Sequence, residues 1–126
     1  MSEEISLHFE RADEYISDAE LLLQERRIAS AVGRAYYAMF HAATAVLLSK
    51  DIQRSSHHGL ISAFGRFIAK PGLIDYEHHR NLQEIFDIRR ESDYEPIVDI
   101  TSDEAARILQ KARAFVAACR SLVFPE

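Results

Sequence analysis

From Ile28 to Leu48 the chain is apolar around its whole circumference except at Arg34 and His41. Ile28, Val32, Ala35, Tyr36, Met39, Ala43, Val46 and Leu47 follow the three-to-four spacing of one buried stripe, and Tyr37, Phe40 and Leu48 make the other faces apolar as well. Such a helix is normally buried. One stripe faces a bundle, and the remaining faces ask for a second partner, so a homodimer is expected, with Tyr37 and Phe40 as contact residues. Arg34 and His41 stand two helical turns apart and project from the same side.

Upstream, an amphipathic pattern predicts a helix from about Ser6 to Gln24, with Phe9, Ala12, Tyr15, Ile16, Ala19, Leu22 and Leu23 inward and Glu10, Arg11 and Asp18 outward. The polar connection Gln24 to Arg27 is short, so the first two helices should pack antiparallel. Ser55 or Ser56 caps a shorter helix carrying Leu60, Ile61, Phe64, Phe67 and Ile68, which Pro71-Gly72 ends. A fourth helix is predicted from Tyr76 to Arg90, followed by a loop from Ser92 to Ile100 around Pro96. Thr101 with Glu104 reads as a capping box that opens a last helix to about Val123. The expectation is all-α: an up-and-down bundle of about five helices forming one domain over residues 1–126.

Composition narrows the function classes. At 126 residues and 48% hydrophobic, the chain supports a single core. A formal net charge of -5 argues against nonspecific coating of nucleic acid and leaves room only for a local basic cleft. The one cysteine, Cys119, has the helical spacing of a small buried residue, which excludes a disulfide within the chain. No apolar run approaches the ~20 residues that span a bilayer, and the N-terminus is acidic, so a cytoplasmic protein with no membrane association is expected.

Metal and cofactor chemistry find little support. His57-His58 and His78-His79 are adjacent pairs that diverge by about 100° on a helix, and only Asp75 with His79 has the spacing of a weak site. The glycines at 33, 59, 65 and 72 form no phosphate loop. No metal and no cofactor is expected. Two polar constellations remain. Arg34 and His41 read either as catalytic candidates, His as general acid or base and Arg as phosphorane stabiliser in metal-free RNA cleavage, or as a salt bridge to the first helix and a hydrogen bond across the core. Arg89, Arg90, Asp93 and Tyr94 read either as a nucleotide- or RNA-binding group or as a latch in which Asp93 pairs with an arginine and Tyr94 packs back on the bundle.

The segment Arg34-Ala-Tyr-Tyr-Ala-Met-Phe-His41, then Ser56-His57-His58, then Arg89 followed four and five residues on by Asp93-Tyr94, resembles the HEPN domain family of small prokaryotic proteins over nearly the whole chain. The resemblance implies a helical bundle, a homodimer, nucleotide or RNA as ligand, and a minimal nucleotidyltransferase as partner in a toxin-antitoxin-like system. Catalytic members carry an Arg-x(4 to 6)-His motif in a late helix, facing its copy across the dimer cleft. Here that region has Asp93 and no histidine, so ribonuclease activity is not carried over with the fold. A HEPN-type binding module is the first reading. A metal-independent endoribonuclease using Arg34, His41, Arg89 and Tyr94 is the second, and a purely structural dimer the third.

Overall fold

A computed structural model describes residues 2–95 and 99–125. Five α-helices follow one another: α1 (Ser2–Gln24), α2 (Ile28–Leu48), α3 (His57–Phe64), α4 (Tyr76–Tyr94) and α5 (Ser102–Val123), with no strand among the described residues. The all-α bundle agrees with the periodicity. Cross-helix pairs fix the directions: His8 meets His41 and Asp18 meets Arg34, so α1 and α2 are antiparallel. Arg120 meets Asp13 and Arg113 meets Glu20, while Lys111 meets Glu84 and Phe115 meets His78, so α5 is antiparallel to both α1 and α4. The chain therefore goes up and down, with α3 as a short crosspiece.

α2 is the axis of the core. Val32, Ala35, Tyr36, Ala38, Met39, Ala42, Ala43, Ala45 and Val46 are all essentially inaccessible. The seven alanines of this helix let neighbouring backbones approach on several sides, and α1, α3, α4 and α5 all pack on it. The apolar circumference that suggested a second partner is thus largely covered within the chain. What remains is a half-buried stripe of Tyr37, Phe40, His41, Thr44 and Leu48.

Helix ends follow local chemistry. The Ser56 side chain accepts from Gly59 N at 2.9 Å, and Thr101 and Glu104 form the expected capping box. Arg26 and Asp51, both at φ 60, end α1 and α2 in left-handed residues whose successors bond back to Leu22 and Leu47. α4 departs from the expected boundary. It continues past Arg90 to Tyr94, because the Arg89–Asp93 pair spans one further turn, and Glu95 then adopts the extended conformation required before proline. The loop expected from Ser92 therefore starts at Glu95. The turn expected around Pro96 lies outside the described residues.

The third helix also differs from the simple expectation. After Phe64 the hydrogen-bonding widens into a π-helical turn over Gly65–Ala69, closed by Lys70 N to Gly65 O at 2.8 Å. There the chain runs against the ring of His79, whose Nε2 donates to the Ile61 carbonyl at 3.2 Å. A Cβ at Gly65 would lie 2.5 Å from that nitrogen, whereas one at Gly33 would meet nothing within 4 Å. Gly65→Ala should therefore cost about 1–3 kcal/mol, while Gly33→Ala should be neutral or stabilising by up to ~1 kcal/mol through helix propensity. Urea denaturation measures both, and equal stability of the two variants would refute the close contact.

Candidate functional site

α2 and α4 meet around Arg89. The Arg89 Nε donates to Asp93 Oδ2 at 2.9 Å, and Nη2 donates to the Tyr37 hydroxyl at 2.9 Å. The guanidinium lies 5.0 Å from the Tyr37 ring centroid and 5.7 Å from that of Tyr36. Two of its five donors are thus committed, and the Nη1 end has no partner among the described residues. With 20% of its side chain exposed, Arg89 is a cation oriented by Asp93 and Tyr37, with its Nη1 edge unpaired among the described residues. Such an edge suits the oxygens of a phosphate.

Tyr36 extends the cluster into α3. Its hydroxyl lies 2.6 Å from His57 Nδ1. Burial pushes the Tyr36 phenol upward in pKa, partly opposed by Arg89, so it stays protonated. Burial, then Arg89 and His58, hold His57 below the usual imidazole range, so at neutral pH it is uncharged and Tyr36 donates to it. Its ring stacks on Phe86 at 5.8 Å and sits 4.7 Å from Phe40. Arg90 reaches His58 Nε2 at 3.3 Å and lies over Phe86. Tyr94, by contrast, is 82% exposed and does not pack back on the bundle.

Arg34 and His41 lie on the other side of Tyr37, against α1. Arg34 pairs with Asp18 at 3.4 Å across an exposed surface, and His41 Nδ1 lies 2.9 Å from His8 Nδ1. Both approach Tyr15, which stacks on His41 at 5.6 Å and touches Tyr37 at 5.8 Å. Neither shares a hydrogen bond with Arg89. Tyr37, through Tyr15 and Arg89, and Phe40, through His41 and His57, link the two groups, and both are half-buried by contacts inside the chain.

The His8–His41 contact has a titration consequence. Two facing Nδ1 atoms make a hydrogen bond only while at least one lacks a proton. Burial first, then His8 and Arg11, hold His41 down to about 4. Above the unfolded pKa of about 6.5 both states are neutral at this residue and its contribution is complete. As pH falls from there toward 4, the unfolded chain takes a proton that the folded one refuses, and stability is lost. One proton is worth at most ~1.4 kcal/mol per pH unit, and partial exposure of His41 reduces that to a fraction. The melting temperature should drop between pH 7 and pH 5 in the wild type and drop less in His41→Phe; identical profiles would refute this.

Sequence reasoning named Arg89, Arg90 and Asp93 but not the aromatic wall of Tyr36, His57 and Phe86 that completes the group. His57 was visible as half of an adjacent pair unfit for chelation and as part of the Ser56-His57-His58 segment of the family resemblance, without a role assigned to it. The signal available was its position just after the Ser56 cap, at the mouth of a helix. Asp75 and His79 are engaged separately, Asp75 capping α4 through Glu77 N and His79 holding Ile61 O. No group of three or more metal-ligating side chains occurs among the described residues. Cys119 is buried, which pushes its thiol pKa up and leaves it unreactive. No described helix is long and apolar enough to cross a membrane.

Comparison with known proteins places these observations. The family model described as HEPN domain matches residues 5–122. A UPF0332 protein of Thermotoga maritima is 35% identical over 113 residues, covering 90% of this chain and 86% of its own. A Methanocaldococcus jannaschii protein named "Putative toxin MJ0605" is 36% identical over 114 residues, covering 90% of this chain and 84% of its own. A UPF0332 protein of Archaeoglobus fulgidus is 32% identical over 121 residues, 96% of each chain.

Proposed function

Because the chain belongs to the HEPN domain family, with relatives named as toxins, we propose that it is a dimerising module that binds nucleotide or RNA through Arg89 and serves as partner of a minimal nucleotidyltransferase in a toxin-antitoxin-like system. The observation that carries the ligand class is the Arg89 guanidinium, fixed by Asp93 and Tyr37 and open at Nη1 between aromatic side chains. A phosphate takes the open edge, and a base finds a π-face within the half-buried stripe of α2. The chain's negative net charge disfavours binding spread over the whole surface, and Arg90 stands beside Arg89 as a second cation.

The test is fluorescence anisotropy with a labelled single-stranded RNA 12-mer in EDTA, titrated at two salt concentrations. Binding that weakens with salt and is displaced by AMP supports the reading; no binding at low salt overturns it. The homodimer is tested by light scattering at tens of micromolar, where a monomer overturns it. Co-expression with a nucleotidyltransferase from the same operon tests the partner, and its failure to co-purify removes that element.

One observation favours a second reading, metal-free RNA cleavage. His57 joins Arg89 through Tyr36, so an imidazole and a guanidinium share a cluster although no histidine follows Arg89 in α4. In that reading His57 takes the 2′-hydroxyl proton while Arg89 neutralises the phosphorane. No cleavage in EDTA would dismiss this reading, and cleavage in EDTA that survives His57→Ala would dismiss His57 as its base.

A further inference from the structure

Arg89 and Arg90 of α4 face α2 and α3. The opposite side of its C-terminal half behaves differently. There α4 and α5 diverge and leave an open cleft of about 480 Å³ with Ile88, Ile100 and Ile108 among its lining residues. Glu91, Glu95 and Asp99 stand along the cleft, all exposed, and none has an ion-pair partner among the described residues. Lys111 is taken by Glu84 at 3.3 Å, and Arg107 lies beside Glu104, so the cations that line the cleft already face carboxylates.

These carboxylates sit where a helix disfavours them. The last turn of α4 contains no basic residue, and its negative dipole end adds to the charge of Glu91 and Glu95. Local stability would place lysine or arginine there. A stretch that breaks its own local rule with no compensating ion pair among the described residues marks a position shaped for something outside it. The aliphatic lining rules out a purely ionic guest, because bare inorganic ions gain nothing from Ile88, Ile100 and Ile108.

We propose that this cleft is a docking groove for a cationic amphipathic segment of another protein. From Glu84 to Glu95 the wall of α4 is roughly 16 Å long, which matches about three turns of a guest helix laid beside it. The guest sets aliphatic side chains on the isoleucines, and its lysines or arginines meet Glu91, Glu95, Asp99 and the carbonyl end of α4. α4 then separates two opposite chemistries, an anion site around Arg89 and a cation-accepting groove behind it. The groove does not depend on the ligand proposed for Arg89.

The probe is a fluorescein-labelled 16-residue helix of leucine and lysine with one apolar face, measured by anisotropy at 150 mM salt against the full chain. A scrambled peptide of the same composition serves as control. Glu91→Lys with Glu95→Lys should weaken binding of the amphipathic peptide tenfold or more and leave the melting temperature equal or higher. Glu10→Lys with Glu25→Lys, the same charge change on exposed positions elsewhere, should change it less than threefold. Equal binding of the scrambled peptide, or equal loss in both reversals, would reduce the effect to overall charge and overturn the proposal. Displacement of the peptide by millimolar spermidine would assign the groove to small polyamines instead. A change in oligomeric state on light scattering in the Glu91/Glu95 reversal would assign it to a second copy of this chain, which equally overturns the proposal.

Discussion

Arg89→Ala is expected to weaken binding of single-stranded RNA by at least tenfold and up to about a hundredfold, the loss of a charge-assisted contact worth about 1.5–3 kcal/mol. The size follows from geometry. Asp93 and Tyr37 hold the guanidinium in one orientation, so its open edge meets a phosphate without further ordering of the side chain. Arg89→Lys keeps the charge but loses the fork, and should recover only part of the affinity. Arg90 is exposed and touches only His58 and Phe86, so Arg90→Ala should cost less. Anisotropy gives the affinities and thermal melting reports the fold. Unchanged affinity in Arg89→Ala would remove the residue from the binding site. A loss matched by a collapse in melting temperature, and not repeated in Arg89→Lys, would make Arg89 a latch between α2 and α4.

His41→Ala should cost on the order of 1–3 kcal/mol in stability while leaving RNA binding within a factor of two. The substitution deletes one partner of a half-buried hydrogen bond and leaves His8 Nδ1 unpaired between two helices. It also removes the ring that stacks on Tyr15. Chemical denaturation gives the stability, and the anisotropy assay gives the binding. His41 shares no hydrogen bond with Arg89, and its low pKa keeps it neutral, so it offers no charge of its own to a phosphate. Metal-free RNA cleavage by the wild type, abolished in His41→Ala at unchanged melting temperature, would reverse this assignment.

Much of the fold was legible because it is local. The ends of α2 and α5 fell where periodicity and the Thr101 capping box put them, and α1 needed extension only at its first turn. The interruption of α3 by a π-helical turn had no local signal, since it forms where His79 packs against Gly65 from another helix. α4 outran its expected end at Arg90 because a loop assigned around Pro96 overlooks the Arg89–Asp93 pair that supports another turn before it. For the site, the residue types near Arg89 were readable, but their mates were not. Tyr36 and His57 are 21 positions apart, and Tyr37 and Arg89 are 52 apart.

The sequence by itself determined that α2 would be buried in an all-α bundle with α1 antiparallel to it, and it offered a salt bridge to α1 as one of two readings of Arg34. Periodicity and capping act within a few residues, so they are written along the chain. Only the tertiary structure decided that Tyr37 faces Arg89, that His41 faces His8, and that one side of α4 is cationic while the other lines an acidic cleft. Each of those depends on how far one helix is rotated and shifted against another. That choice is made by the packing of the whole core, and two side chains on different helices meet only once it has been made.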